Sequence, residues 1–232
     1  GALMGFSQQQ MDTRINDIAE STRWSAPQVS NVLRAFEGQG WVQSTGAERG
    51  KGAHRILADK YGLISSWAEG IAEKPAERLI AHALTQDLMG FLRRELMPKL
   101  NQHARWAVTG WAGGELLAPF ASIVPVLQIY VDEANFGPEL IRSVGLTPVD
   151  EGGSIEFWSA GHVPLLLASQ TDDHLLVASP ARVFADLKSF GERGEEAANH
   201  LLAFELESDS RGSTRAVPDK AALDELRAWE QS

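Results

Sequence analysis

Residues 13–57, TRINDIAESTRWSAPQVSNVLRAFEGQGWVQSTGAERGKGAHRIL, constrain the fold more tightly than any other stretch. They hold two short helical periods, a tight connection and a strand-turn-strand. Ile15, Ile18 and Ala19 fall at i, i+3 and i+4 and make one apolar face. Val29, Val32, Leu33 and Phe36 repeat that spacing through i+7. Ser25 ahead of Pro27 and Gln28 supplies a hydroxyl cap, an early proline and a glutamine at the third helical position. Gly38 and Gly40 predict the stop. Trp41 to Thr45 reads as a strand, GAERGKGA as a glycine-rich turn, and His54 to Ala58 as the returning strand. Together these parts spell a winged helix-turn-helix.

If Val29, Val32, Leu33 and Phe36 face inward, Gln28, Asn31, Arg34 and Ala35 must face outward. Glutamine and asparagine on a helix in the major groove can read adenine edges, and Arg34 can reach guanine or phosphate. The residues expected at double-stranded DNA are therefore Ser25, Gln28, Ser30, Asn31 and Arg34 on the helix, with Arg49, Lys51, His54 and Arg55 on the wing. Winged helices are also used to grip proteins or as plain scaffolding, and the pattern alone does not separate these uses.

Charge narrows the choice. The chain carries 21 basic and 31 acidic residues, a net of −10. Residues 1–60 hold seven of the basic and six of the acidic ones, a net of +1, so the whole acidic excess lies beyond residue 60. An acidic surface repels the phosphate backbone. DNA contact must then be local, which fits a sequence-selective regulator better than a packaging protein.

The 232 residues suffice for two ordinary domains, and 44% hydrophobic content supports a packed core. Without cysteine, neither disulfides nor a thiolate zinc site can form. The opening GALMGFSQQQ lacks the basic and apolar regions of a secretory signal, so a cytoplasmic location is expected. The most apolar run, Leu116 to Val131, is 16 residues long and contains Pro119 and Pro125. A membrane helix needs about 20 apolar residues, so none is expected.

Beyond the wing, Asp59 can cap a helix lined by Leu63, Ile64, Trp67 and Ile71, a connector packed on the winged domain. The boundary is placed at Pro75, giving domains 1–75 and 76–232. The second domain alternates elements. Leu84 to Leu100 reads as helix, RWAVTG as a strand entering a glycine turn, WAGGELLAPF as a short helix and VLQIYVD as a strand apolar on both faces. FGPELIRSVGL follows as helix, SIEFWSAG and HLLVAS as strands, and a long helical region runs from Pro180, broken near Gly191 to Gly194. The order predicts an α/β or α+β domain. Asp219 to Glu230 reads as a last amphipathic helix.

A nucleotidyltransferase needs a Gly-Ser turn and two acids one residue apart to hold two magnesium ions. The chain offers Thr109-Gly110 on the turn, the adjacent pair Asp132-Glu133 and a lone Glu156. Adjacent acids on a strand point to opposite faces and cannot share a metal pair. His54, His82, His103, His162, His174 and His200 are scattered, without the spacing of a metal site. Asp172-Asp173 reads as a turn, Arg182 with Asp186 and Arg193 with Glu196 as surface helical ion pairs, and Trp106, Trp111 and Trp158 as core. No catalytic residue, cofactor or metal is expected.

The order of these motifs, WAVTGWAGGELLAPF, then VLQIYVD, then VASPARVFADLKSFGERGEEAANHL, resembles the AbiEi-like antitoxins of type IV toxin–antitoxin systems. The Thr-Gly turn and the SPARVFADL and RGEEAANHL helices carry most of the likeness. The resemblance implies a winged DNA-binding domain that represses its own promoter. It also implies a nucleotidyltransferase-like second domain, generally without catalytic acids, that opposes a partner toxin; a homodimer is expected independently of the resemblance. One departure is that about a dozen residues precede the first helix, so the family's leading helix is very short or replaced by a later one. The competing expectation is a nucleotidyltransferase or nucleotide-binding enzyme with a fused regulatory winged domain.

Overall fold

The computed structural model describes residues 24–45, 54–72, 77–120, 123–161, 164–165 and 167–210, together with Ile15, Ile18 and Ala19. Those three isolated residues are helical and pack on Val29 and Leu33 in a small core of their own.

Helix α1, Ala26–Gly38, starts as its sequence dictates. The Gln28 amide donates to the Ser25 hydroxyl oxygen, and the Ser25 amide donates 2.9 Å to Gln28 Oε1, closing a capping box. It ends in a Schellman motif: Gly40 sits at φ 77°, its N–H bonds the Glu37 carbonyl, and the Trp41 N–H bonds that of Phe36. Phe36 meets Trp41 edge-on at 5.6 Å. Strands β1, Val42–Thr45, and β2, His54–Leu57, pair antiparallel.

Helix α2, Lys60–Ala72, begins two residues after β2, where Asp59 accepts from the Gly62 amide at 2.8 Å. Leu63, Ile64 and Ala68 are buried. Ile64 and Ala68 share a core with Tyr130, Trp158 and Phe184, so the connector packs on the second domain, while its Gly62 lies close against the Trp41 indole of the helix–hairpin unit. The expectation named only the winged domain; the larger apolar contact is with the second. Tyr130, Trp158 and Phe184 offer α2 far more apolar area than the three-residue core around Val29 does.

The second unit is built on a mixed sheet of β3 (Arg78–His82), β4 (Trp106–Thr109), β5 (Leu127–Asp132), β6 (Thr147–Val149), β7 (Ile155–Ala160), β8 (Ser169–Gln170) and β9 (Leu176–Val177). Their spatial order is β6-β3-β7-β5-β4-β9-β8. The β5–β7 and β4–β9 pairs are parallel and the other pairs antiparallel, so the chain is α+β.

Every residue of β5 is buried, because helices cover both faces. Leu127, Ile129 and Val131 share a core with Leu92, Leu96 and Ile141, while Tyr130 shares another with Ile64, Phe184 and Leu201. Helix α3 comprises Leu88–Phe91, a π-helical turn at Leu92–Leu96, and Met97–His103. Helix α4 is Gly110–Leu117, α5 is Pro138–Ser143, α6 is Pro180–Lys188 and α7 is Gly191–Ser210.

The π turn has a readable cause. Leu88, Leu92, Leu96 and Leu100 are all buried at a spacing of four. On an α-helix each such step drifts by about 40°, and a wider turn holds the row on one face. The turn also precedes Pro98, which cannot donate to an α-helical ladder.

Candidate nucleic-acid interface

On α1 the expected division of faces holds at each position. Val29 and Leu33 are buried, Val32 and Phe36 are half-buried, and Gln28, Asn31, Arg34 and Ala35 are exposed. Two of these outward residues, Asn31 and Arg34, form a connected strip with the half-buried Ser30. Arg34 Nη2 donates to Asn31 Oδ1 at 3.1 Å and to Ser30 Oγ at 3.5 Å. The guanidinium is therefore held along the helix by its own neighbours. Accepting through Oδ1 leaves the donor end of the Asn31 amide directed away from Arg34.

Ser25 and Gln28 do a different job at the helix start. Gln28 Oε1 accepts from both the amide and the hydroxyl of Ser25, the latter at 2.8 Å. The same exposed glutamine expected at base edges is thus the reciprocal half of the helix cap. Trp24, half exposed just before the cap, was not singled out from sequence, because one aromatic outside a periodic run carries no signal.

The wing residues separate. Arg49 and Lys51 lie outside the described residues. His54 is in β2 opposite Thr45, and its side chain also lies outside them. Arg55 does not face outward as expected: its side chain is 16% exposed, and its Nε lies 2.7 Å from Glu37 Oε1. The Ser44 hydroxyl donates to the same oxygen at 2.6 Å. That hydrogen bond, with the Arg55 pair beside it, holds the Glu37 carboxyl below its ordinary value. Sequence reasoning missed Glu37, because an acid late in a helix with no spaced partner looks like surface.

In the second domain, Thr109 pairs with Gln128, and Asp132 is four residues further along β5. At about 3.4 Å per residue this places Asp132 about 14 Å from the Thr109-Gly110 turn. Asp132 instead accepts from the Arg105 amide and from Asn135 Nδ2, fixing the far end of the β4–β5 pair. The position opposite the turn belongs to Gln128, whose Oε1 accepts from the Trp111 amide at 3.1 Å. Gly110 is at φ 54°, and a Cβ there would come within 2.5 Å of Gln128 Oε1. Glu156 is in register with Gln128 on β7 and accepts from the Trp158 indole at 2.8 Å. Among the described residues no three His, Asp or Glu side chains gather as metal ligands.

Arg182 and Asp186 are not a surface pair. Asp186 is 5% exposed and takes hydrogen bonds from the buried hydroxyls of Thr109 and Tyr130, the second at 2.7 Å. Arg182 Nε lies 3.2 Å from Asp186 Oδ1 and 2.7 Å from the Tyr130 hydroxyl. Burial pushes the Asp186 carboxyl above its ordinary value, against the pull of Arg182 and of the hydroxyl donors. It pushes the Tyr130 hydroxyl up as well, with Asp186 beside it adding to the effect. The i, i+4 spacing was visible in sequence, but its burial was not, since Thr109 and Tyr130 come from distant strands. Trp106 and Trp158 are buried, and Trp111 stacks on Phe190 at 5.7 Å.

Among the described residues no helix is long and apolar enough to cross a membrane. No protein-family model matches this chain, and no curated protein matches it significantly.

Proposed function

We propose that the chain is a sequence-selective, double-stranded-DNA-binding transcriptional regulator of the antitoxin-like repressor kind. Its N-terminal unit acts as a winged helix-turn-helix, and its second domain as a non-catalytic, nucleotidyltransferase-like module for contact with a toxin, another protein or a second copy. The observation that carries this reading is the outward Asn31–Arg34 pair, held with Ser30 by its own hydrogen bonds on a doubly capped helix. The charge distribution supports it, since the acidic excess lies outside this unit. The β4-β5-β7 strand triplet, with a helix entering after Thr109-Gly110, supports the nucleotidyltransferase-like scaffold. Gln128 takes the place of an acid beside that turn, which supports the non-catalytic reading over the enzyme.

Gel-shift with the chain's own upstream DNA and with random DNA tests the proposal. Retention of the cognate fragment is expected. Arg34→Ala should weaken it by about 1–3 kcal/mol and relax selectivity at one base pair, while Lys51→Ala should weaken all DNAs alike. No binding by the intact protein at low salt, with both variants indistinguishable from it, would falsify the proposal.

A further inference from the structure

We propose that Glu37, Ser44 and Arg55 form a positioning clamp that sets the hairpin against the recognition helix, and that Arg55 acts through Glu37 rather than on phosphate. The inference rests on the DNA-binding reading above and changes the role of one residue within it. Ser44 and Arg55 are direct cross-strand partners in the hairpin. Both reach the same atom, Glu37 Oε1, at 2.6 and 2.7 Å. One carboxylate oxygen therefore ties both strands to the last turn of α1. A lone carboxylate at that place would oppose DNA, because it lies one turn beyond Arg34 on an element expected to approach phosphate. Arg55 neutralises it, and in return the hairpin gains a fixed angle. The Arg55 side chain is mostly covered, as a strut would be and a phosphate contact would not.

The two roles of Arg55 differ in what salt does. A phosphate contact releases a counterion, so its loss lowers the slope of log K against log salt by about 1. A strut changes affinity with the slope nearly intact. Full-length Arg55→Ala, Arg55→Lys, Glu37→Gln and the exchanged pair Glu37→Arg/Arg55→Glu would be compared with wild type by fluorescence anisotropy across salt, on cognate DNA. The clamp predicts roughly tenfold weaker binding for Glu37→Gln, although that change removes a negative charge, with partial recovery in the exchanged pair. It also predicts that Arg55→Lys is impaired despite keeping its charge. Tighter or unchanged binding by Glu37→Gln, or a slope lowered by about 1 in Arg55→Ala, overturns it. Amide exchange in β1 and β2, measured without DNA, decides the clamp independently. Faster exchange in Glu37→Gln is expected, and unchanged exchange overturns it. If wild type binds no DNA, the regulator reading falls while this second measurement still judges the clamp.

Discussion

Asp186 sits almost out of reach of water, and Thr109, Tyr130 and Arg182 make that position tolerable. Removing one partner from such a group leaves a buried charge uncompensated, which costs about 3–5 kcal/mol. Asp186→Ala should lower stability in urea unfolding by that amount. Asp186→Asn, which keeps the shape but strands Arg182, should fall between it and wild type. Glu37 gives a pH signature. Its folded value lies below its ordinary 4.5, so its stabilising contribution is present above pH 4.5 and is lost as pH falls through the folded value. Asp186 has the opposite sign: its folded value is raised, so its contribution is largest below the ordinary 3.8 and is lost as pH rises through the folded value. Stability measured from pH 3 to 7 should therefore lose its acid-side fall in part in Glu37→Gln and steepen it in Asp186→Asn. Neither environment was legible from sequence. Glu37 meets Arg55 across 18 residues and Asp186 meets Thr109 across 77, and spacing rules see only neighbours.

At the scale of elements, legibility followed how local the cause was. Caps at Ser25 and Asp59 act within three residues, and each marks a helix start that was read correctly. A third cap, Ser179 before α6, works in the same way through the Arg182 amide. β5 was legible from the alternating Leu127, Ile129 and Val131, although its other, equally buried face carries Gln128, Tyr130 and Asp132. β3 was not, since its five residues owe their conformation to β7, whose pairing with it spans more than 70 residues. Arg78 on β3 lies 4.2 Å over the Trp158 ring, a contact no local pattern announces. Helix α3 was expected from Leu84 but starts at Leu88, because Asp87 accepts from the Gly90 amide and Thr85 from the Asp87 amide. The π turn within it escaped notice because a leucine every fourth residue is an ordinary helical pattern until burial shows that the whole row points one way.

At the scale of the molecule, the connector α2 matters most. Its sequence shows an apolar face without showing what covers it. The structure places Ile64 and Ala68 in the core beneath the sheet, so Ile64→Ala should cost about 2–5 kcal/mol. Hydrogen exchange should quicken along β5 and β7 while β1 and β2 keep their protection, and loss confined to the hairpin would contradict this packing.

Ala58 and Asp59 alone separate β2 from α2, and both of their amides bond the Trp41 carbonyl. The link has no slack to act as a swivel. The heading of the exposed strip on α1 is thus inherited from the sheet-bearing body, as a blade's heading is set by its handle. Whatever tilts α2, including a protein seated on the far side of that body, re-aims the strip without touching it.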